Sequence, residues 1–154
     1  MAGPERRVGR LMKSERNNNQ ETKFREILNR EKPNYYHLVG INILDVKEGY
    51  AKLKMDVDVK LTNPYGFVAG GFYAVLADTS LACALLSVTE DTPTRRLVCI
   101  EYKVNTIKPV SKGAIISEAR VIHLGKAIAI GTVEMRDDAD SIVATALITY
   151  SVKY

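Results

Sequence analysis

The residue types that chemistry needs are concentrated in one stretch, Asn63 to Val88 (NPYGFVAGGFYAVLADTSLACALLSV). From Gly70 to Val88 nearly every residue is apolar or small, and Asp78 alone would carry charge at neutral pH. An apolar run with no polar face reads as a buried helix, and a carboxylate in the middle of one is costly unless paired or hydrogen-bonded. Just upstream lie Gly66, Gly70 and Gly71. Glycine lets a ligand come close to the backbone. The first-turn N–H groups of a helix lack intrahelical partners and sit at the positive end of its dipole. The segment thus joins a candidate oxyanion site to a candidate catalytic carboxylate. The competing reading is a core helix whose one acid is satisfied by its neighbours, since structural networks also hold buried acids.

Such a helix needs other elements to cover it. Thr22 reads as the N-cap of a short helix to about Arg30, with Phe24, Ile27 and Leu28 on one face. Tyr35 to Val39 reads as a further turn closed by Gly40. From Ile41 the pattern becomes that of strands. Leu53, Met55, Val57, Val59 and Leu61 alternate with Lys52, Lys54, Asp56, Asp58 and Lys60, predicting a half-buried strand over that whole stretch. After a polar loop at 91–96, strands are expected over 97–107, 114–124, 127–136 and 142–152, with turns at Pro109–Gly113, Gly125–Lys126 and Asp137–Asp140. Strands, one long helix, then strands in hairpin-like succession make an α+β domain in which a mostly antiparallel sheet wraps the helix.

At 154 residues and 46% hydrophobic composition the chain is expected to be a single domain with a real core. The net charge of +4 is local. Residues 1–34 hold nine Lys/Arg and five Asp/Glu, whereas 35–154 hold thirteen of each. The chain therefore divides into a basic, partly disordered or helical arm, 1–34, and a neutral domain, 35–154. An arm alone makes a weak case for nucleic-acid binding, and no such partner is expected. Cys83 and Cys99 are too few for a disulfide framework and lack metal-site spacing. No charged n-region and apolar h-region open the chain. Asp78, Thr79 and Ser80 argue against a membrane-spanning role for 70–88, so a cytoplasmic protein is expected.

Residues 63–82 resemble the PaaI-like acyl-CoA thioesterases, relatives of 4-hydroxybenzoyl-CoA thioesterase with the hotdog fold. The resemblance rests on Asn63, Gly66, Ala69-Gly70-Gly71 and Asp78, and extends more weakly over about 38–152, including HLGKA at 123–127 and ATALITY at 144–150. In one respect the chain departs: the family's motif histidine is Ala69 here. The resemblance implies hydrolysis of an acyl-CoA thioester without a cofactor or metal. It makes the Gly70 amide the oxyanion donor, with the Asn63 side chain beside it, and Asp78 the general base or nucleophile. It places Gly71 and Ala69 at the substrate and Cys99 where the family delivers a hydroxyl. Arg95, Arg96 and Lys126, with Lys108 and Lys112, are candidate partners for the CoA phosphates. Helix-to-helix homodimers and homotetramers are also implied.

Geometry adds a constraint of its own. Eight residues of helix rise about 12 Å, too far for Gly70 and Asp78 of one chain to act on the same carbonyl. Two antiparallel helices would bring Gly70 of one subunit beside Asp78 of the other. The rival to a shared-site thioesterase is a non-catalytic acyl-CoA binder of the same fold, for which Ala69 is the best sign and Asp78 the counter-sign.

Overall fold

The computed structural model describes residues 19–89 and 96–153. Helix α1 (19–29) and helix α2 (Asn34–Val39) precede strands β1 (Ile41–Lys47) and β2 (Tyr50–Asp56). Helix α3 (Gly70–Val88) follows, then β3 (Val98–Thr106), β4 (Ala114–Leu124), β5 (Ile128–Arg136) and β6 (Ile142–Ser151). The six strands form one antiparallel sheet in the order β1-β2-β4-β5-β6-β3. This is the hotdog arrangement expected above: the sheet curls around α3, and β3 crosses to the edge opposite β1.

Helix α3 has to be covered because its sequence offers no polar stripe. Leu76, Ala77, Leu81, Ala84 and Leu85 on it are fully buried against Leu53, Met55, Ile115, Met135 and Ile148 of the sheet-side core. Two small residues let helix and sheet approach. Ser80 and Ser117, both fully buried, share a 2.6 Å hydrogen bond across the interface, and Ser80 also donates to the Leu76 carbonyl. Gly131 on β5 lies directly beneath Leu81, and a Cβ built there would run into the Leu81 side chain and come within 2.8 Å of the Arg120 carbonyl. The helix is long and apolar enough to cross a membrane, yet 56% of its most apolar window is buried inside the fold.

Several sequence expectations shift at their boundaries. The alternating run from Leu53 to Leu61 is not all strand. β2 ends at Asp56, and Val59–Leu61 is a 3-10 turn capped by the Asp58 carboxylate, which accepts from the Lys60 N–H. The cause lies in the partner strand: β4 begins at Ala114, after Gly113 turns the chain with φ of +83°, so the ladder stops once the Val57 N–H has donated to the Gly113 carbonyl. Val59 is consequently 84% exposed despite its phase. Helix α1 already includes residue 19, so Thr22 lies inside it and not at its N-cap. Gly40 closes α2 in the left-handed region, as expected, with φ of +76°.

The described part of the basic arm packs on the domain. Ile27 joins the core, Phe24 and Leu28 pack against it, and Lys23 donates to the Thr89 carbonyl at the C-terminal end of α3. A cation there complements the helix dipole. Residues 1–18 of the arm lie outside the described residues, as does Arg95.

The close approach at Gly131 yields a stability test. Gly131→Ala forces Leu81 and the β4–β5 backbone apart, and overpacking of this kind costs about 1–3 kcal/mol. Urea unfolding should show a lower midpoint with an unchanged slope; a midpoint equal to wild type would mean that helix and sheet are not in contact there.

Candidate active site

The loop before α3 is built by Asn63. Its side-chain oxygen accepts from the N–H groups of Tyr65 (2.9 Å) and Phe67 (3.2 Å), and its carbonyl accepts from Gly66, whose φ of +80° suits glycine. The Asn63 N–H donates to the Phe67 carbonyl, Val68 to Val110 and Ala69 to Leu61. This lacing fixes where the helix begins. The carboxamide oxygen of Asn63 is thus occupied, and its NH2 group is left as a donor.

At the helix start Ala69 takes the N-cap position with an extended backbone and no side-chain cap. Among the described residues neither the Gly70 nor the Gly71 N–H meets an acceptor. Both glycines are exposed, and a Cβ on either would meet nothing within 4 Å. Asn63 and Gly70 face a common cavity of about 290 Å³ that also takes in Phe67, Tyr73, Ile107 and Lys108. Of the aromatic residues near the motif, Phe67 and Tyr73 line this cavity, whereas Tyr65 is 84% exposed and outside it.

Asp78 is not at that cavity. It sits two helical turns on, half-buried, on the flank of α3 that faces β6 and β3. The hydroxyl of Tyr150, itself buried, donates to the Asp78 side-chain Oδ1 and lies 3.1 Å from the Asp78 main-chain carbonyl. Cys99 pairs with Tyr150 across β3–β6 and brings its thiol beside the carboxylate. A bulge at Ile100 makes this possible by putting Cys99 in phase with Tyr102 and Val104, on the helix side of the sheet. Burial and then the Asp78 charge push the Cys99 thiol up to about 11, so it is protonated at neutral pH. Burial and the bond to Asp78 likewise push the Tyr150 phenol far above its ordinary range. Next along the helix, Thr79 shares a 3.2 Å hydrogen bond with Tyr35 of α2.

The structure therefore gathers Asn63, Ala69, Gly70 and Gly71 at one end of the helix and Asp78 with Cys99 on its flank, and does not join the two groups within one chain. Arg96 is exposed at the approach to β3, and Lys126 is exposed in the β4–β5 turn. Lys108 reaches the cavity but is paired at 2.8 Å with Asp137, whose carboxyl it holds below the ordinary range. His37 and His123 are exposed. Among the described residues no group of three or more His, Cys, Asp or Glu is placed to hold a metal. Sequence reasoning missed the part Tyr150 plays, placing it only in the last strand and at the end of the ATALITY stretch of the resemblance. The available signal was its phase: Ala146, Ile148 and Tyr150 alternate onto the helix side, and a buried tyrosine hydroxyl needs a partner.

Comparison with known proteins agrees with this fold. The chain is 25% identical over 115 residues to the 1,4-dihydroxy-2-naphthoyl-CoA hydrolase of Listeria monocytogenes, covering 75% of this chain and 92% of that one. Among solved structures, the conserved protein PA5202 of Pseudomonas aeruginosa superposes with a TM-score of 0.74 at 28% identity, over 83% of this chain and 98% of that one. The thioesterase HI1161 of Haemophilus influenzae superposes with a TM-score of 0.71 at 25% identity, over 77% and 81%. With residues 65–144 matching the family model as well, the chain belongs to the thioesterase superfamily.

Proposed function

We propose that the protein hydrolyses an acyl-CoA thioester in a site shared by two subunits, with the oxyanion held by one and the carboxylate supplied by the other. The observation that carries this reading is the unfilled pair of N–H groups at Gly70 and Gly71, opening beside the Asn63 NH2, on the helix that also bears Asp78. Backbone donors at a helix start stabilise charge as it develops on a carbonyl oxygen. Water attack on the thioester carbon and cleavage of the C–S bond then yield the acid and the CoA thiol. Asp78 either takes the proton of the attacking water or attacks first, forming a mixed anhydride that water opens. Cys99, protonated, is a neighbour of the acid and not its replacement.

Two features support assembly. Gly70 and Asp78 are separated by about 12 Å of continuous helix. Strand β3 is a bare sheet edge that exposes Val98, Ile100 and Tyr102, at 41%, 54% and 56%. An unpaired edge carrying apolar side chains is a template for a second strand, and β3–β3 pairing would bring two copies of α3 side by side. A homotetramer of two such dimers, in the cytoplasm, completes the reading. The substrate's acyl group enters the cavity beside Phe67 and Tyr73, and exposed Arg96 and Lys126 offer charge to the CoA phosphates.

A mixing experiment tests the shared site. Asp78→Asn removes the base and nucleophile but keeps the shape, and should cost about 10²–10⁴-fold in rate. Gly70→Pro removes the donor, and proline is tolerated at the first helical position; a Cβ at Gly70 meets nothing within 4 Å, and circular dichroism checks that the variant folds. Each homodimer should be nearly inactive. Unfolding and co-refolding the two together should restore up to roughly a quarter of wild-type activity, since half the dimers are mixed and each of those has one intact site. Inactive mixtures of folded, exchanged subunits would sink the shared site.

Ala69 gives a second test. If the absent imidazole limits rate, Ala69→His should raise kcat on a thioester the protein already cleaves. A parent inert toward a panel of acyl-CoAs, and unimproved by this change with its fold intact by circular dichroism, would favour the non-catalytic binder instead.

A further inference from the structure

We infer that Tyr150 is a positioning residue for the hydrolysis, holding the Asp78 carboxylate by Oδ1 so that Oδ2 is left to meet water or the thioester. This rests on the reading of Asp78 as the reacting carboxylate. Both atoms that the Tyr150 hydroxyl touches belong to Asp78: the side-chain Oδ1 and the main-chain carbonyl oxygen. A single hydroxyl set against both the main-chain carbonyl and the carboxylate of one residue fixes that side chain's torsions, which a contact to Oδ1 alone would not do. Tyr150 is 3% exposed and set in the sheet by its pairing with Cys99 and with Ala129, so the grip is rigid. Its proton has nowhere else to go, because the phenol's own ionisation is suppressed by burial and by the neighbouring carboxylate.

The titratable groups facing Asp78 are few. Tyr150 approaches from β6 and Cys99 from β3, while Tyr35 of α2 bonds to Thr79, the next residue along. None brings a positive charge, so the hydroxyl of Tyr150 is what orients the carboxylate on this flank. Removing it frees the Asp78 side-chain torsions, and the reacting oxygen is then no longer held in place.

The test compares wild type, Tyr150→Phe and Asp78→Asn on one acyl-CoA that the wild type cleaves, following thiol release. Tyr150→Phe should lower kcat about 10–100-fold, the scale of one charge-assisted hydrogen bond, and leave KM within about twofold. A side chain that only packs the sheet would lower the urea midpoint and leave kcat where it was. Should Tyr150→Phe fail to fold, 4-fluorophenylalanine placed at position 150 fills the place of the hydroxyl without donating, and should show the same loss of kcat. A folded variant of either kind with wild-type kcat would overturn the role of Tyr150 while an inactive Asp78→Asn leaves that of Asp78 standing. Wild-type activity in Asp78→Asn would instead remove the reading on which both depend.

Discussion

A helix without a wet face is the constraint on which the rest of this molecule depends. Nineteen residues of α3 carry apolar or small side chains nearly all round, so the sheet must curl about it to exclude water. The contact is close enough that only glycine fits at position 131 and that two serines, Ser80 and Ser117, bond directly across the interface. Seating the helix in this way leaves its N-terminus at the rim of the sheet and one flank toward the β6–β3 edge. Both candidate chemical features occupy those two places. The fold thus determines how far apart they lie in a single chain.

Each place departs from what stability alone would select. A helix start gains about 0.5–2 kcal/mol from a Ser, Thr, Asp or Asn cap, yet Ala69 provides none and the Gly70 and Gly71 amides stay open. The loop before it is nonetheless heavily laced through Asn63, so the openness is confined to the donors themselves. Likewise a carboxylate in an apolar helix is destabilising unless satisfied, and here a tyrosine from the last strand satisfies one oxygen. The Lys108–Asp137 pair completes the frame, tying the segment after β3 to the β5–β6 turn, where Asp137 also accepts from Ala139 and Ser141. Departures from local stability that are supported by ordered surroundings are expected where a protein does chemistry.

Much of the fold was legible because its signals are periodic. The apolar run of 70–88 and the strands between Pro109 and Val152 were placed to within a residue or two, since hydrophobic pattern and turn residues act locally. The stretch from Val57 to Leu61 was misread for a reason that no local pattern carries: its alternation continues, but the partner strand has already ended at Ala114. The site was legible in part for the same reason. Asn63, Gly70 and Asp78 share one segment, and their spacing along a helix can be computed. Tyr150 comes from 72 residues away and meets Asp78 only through the register of β6 beneath the helix. Cys99 enters through the family resemblance alone, because the bulge at Ile100 that turns it toward the acid leaves no mark in composition.

Separation of donors and acid along one rigid helix has a consequence for how such a protein is controlled. A rigid α3 cannot bend to bring Gly70 to Asp78, because its interior is packed against the sheet along its length and carries no proline or internal glycine after Gly71. Conformational change within a subunit is therefore a poor route to a complete site, whereas pairing at the bare β3 edge is a direct one. In the shared-site reading, the same exposed Val98, Ile100 and Tyr102 that make a lone subunit prone to association are what complete its chemistry. On that reading folding, assembly and activity become linked equilibria, in which subunit concentration enters the rate through mass action, and the edge that would be a liability in a monomer would be the one a partner covers.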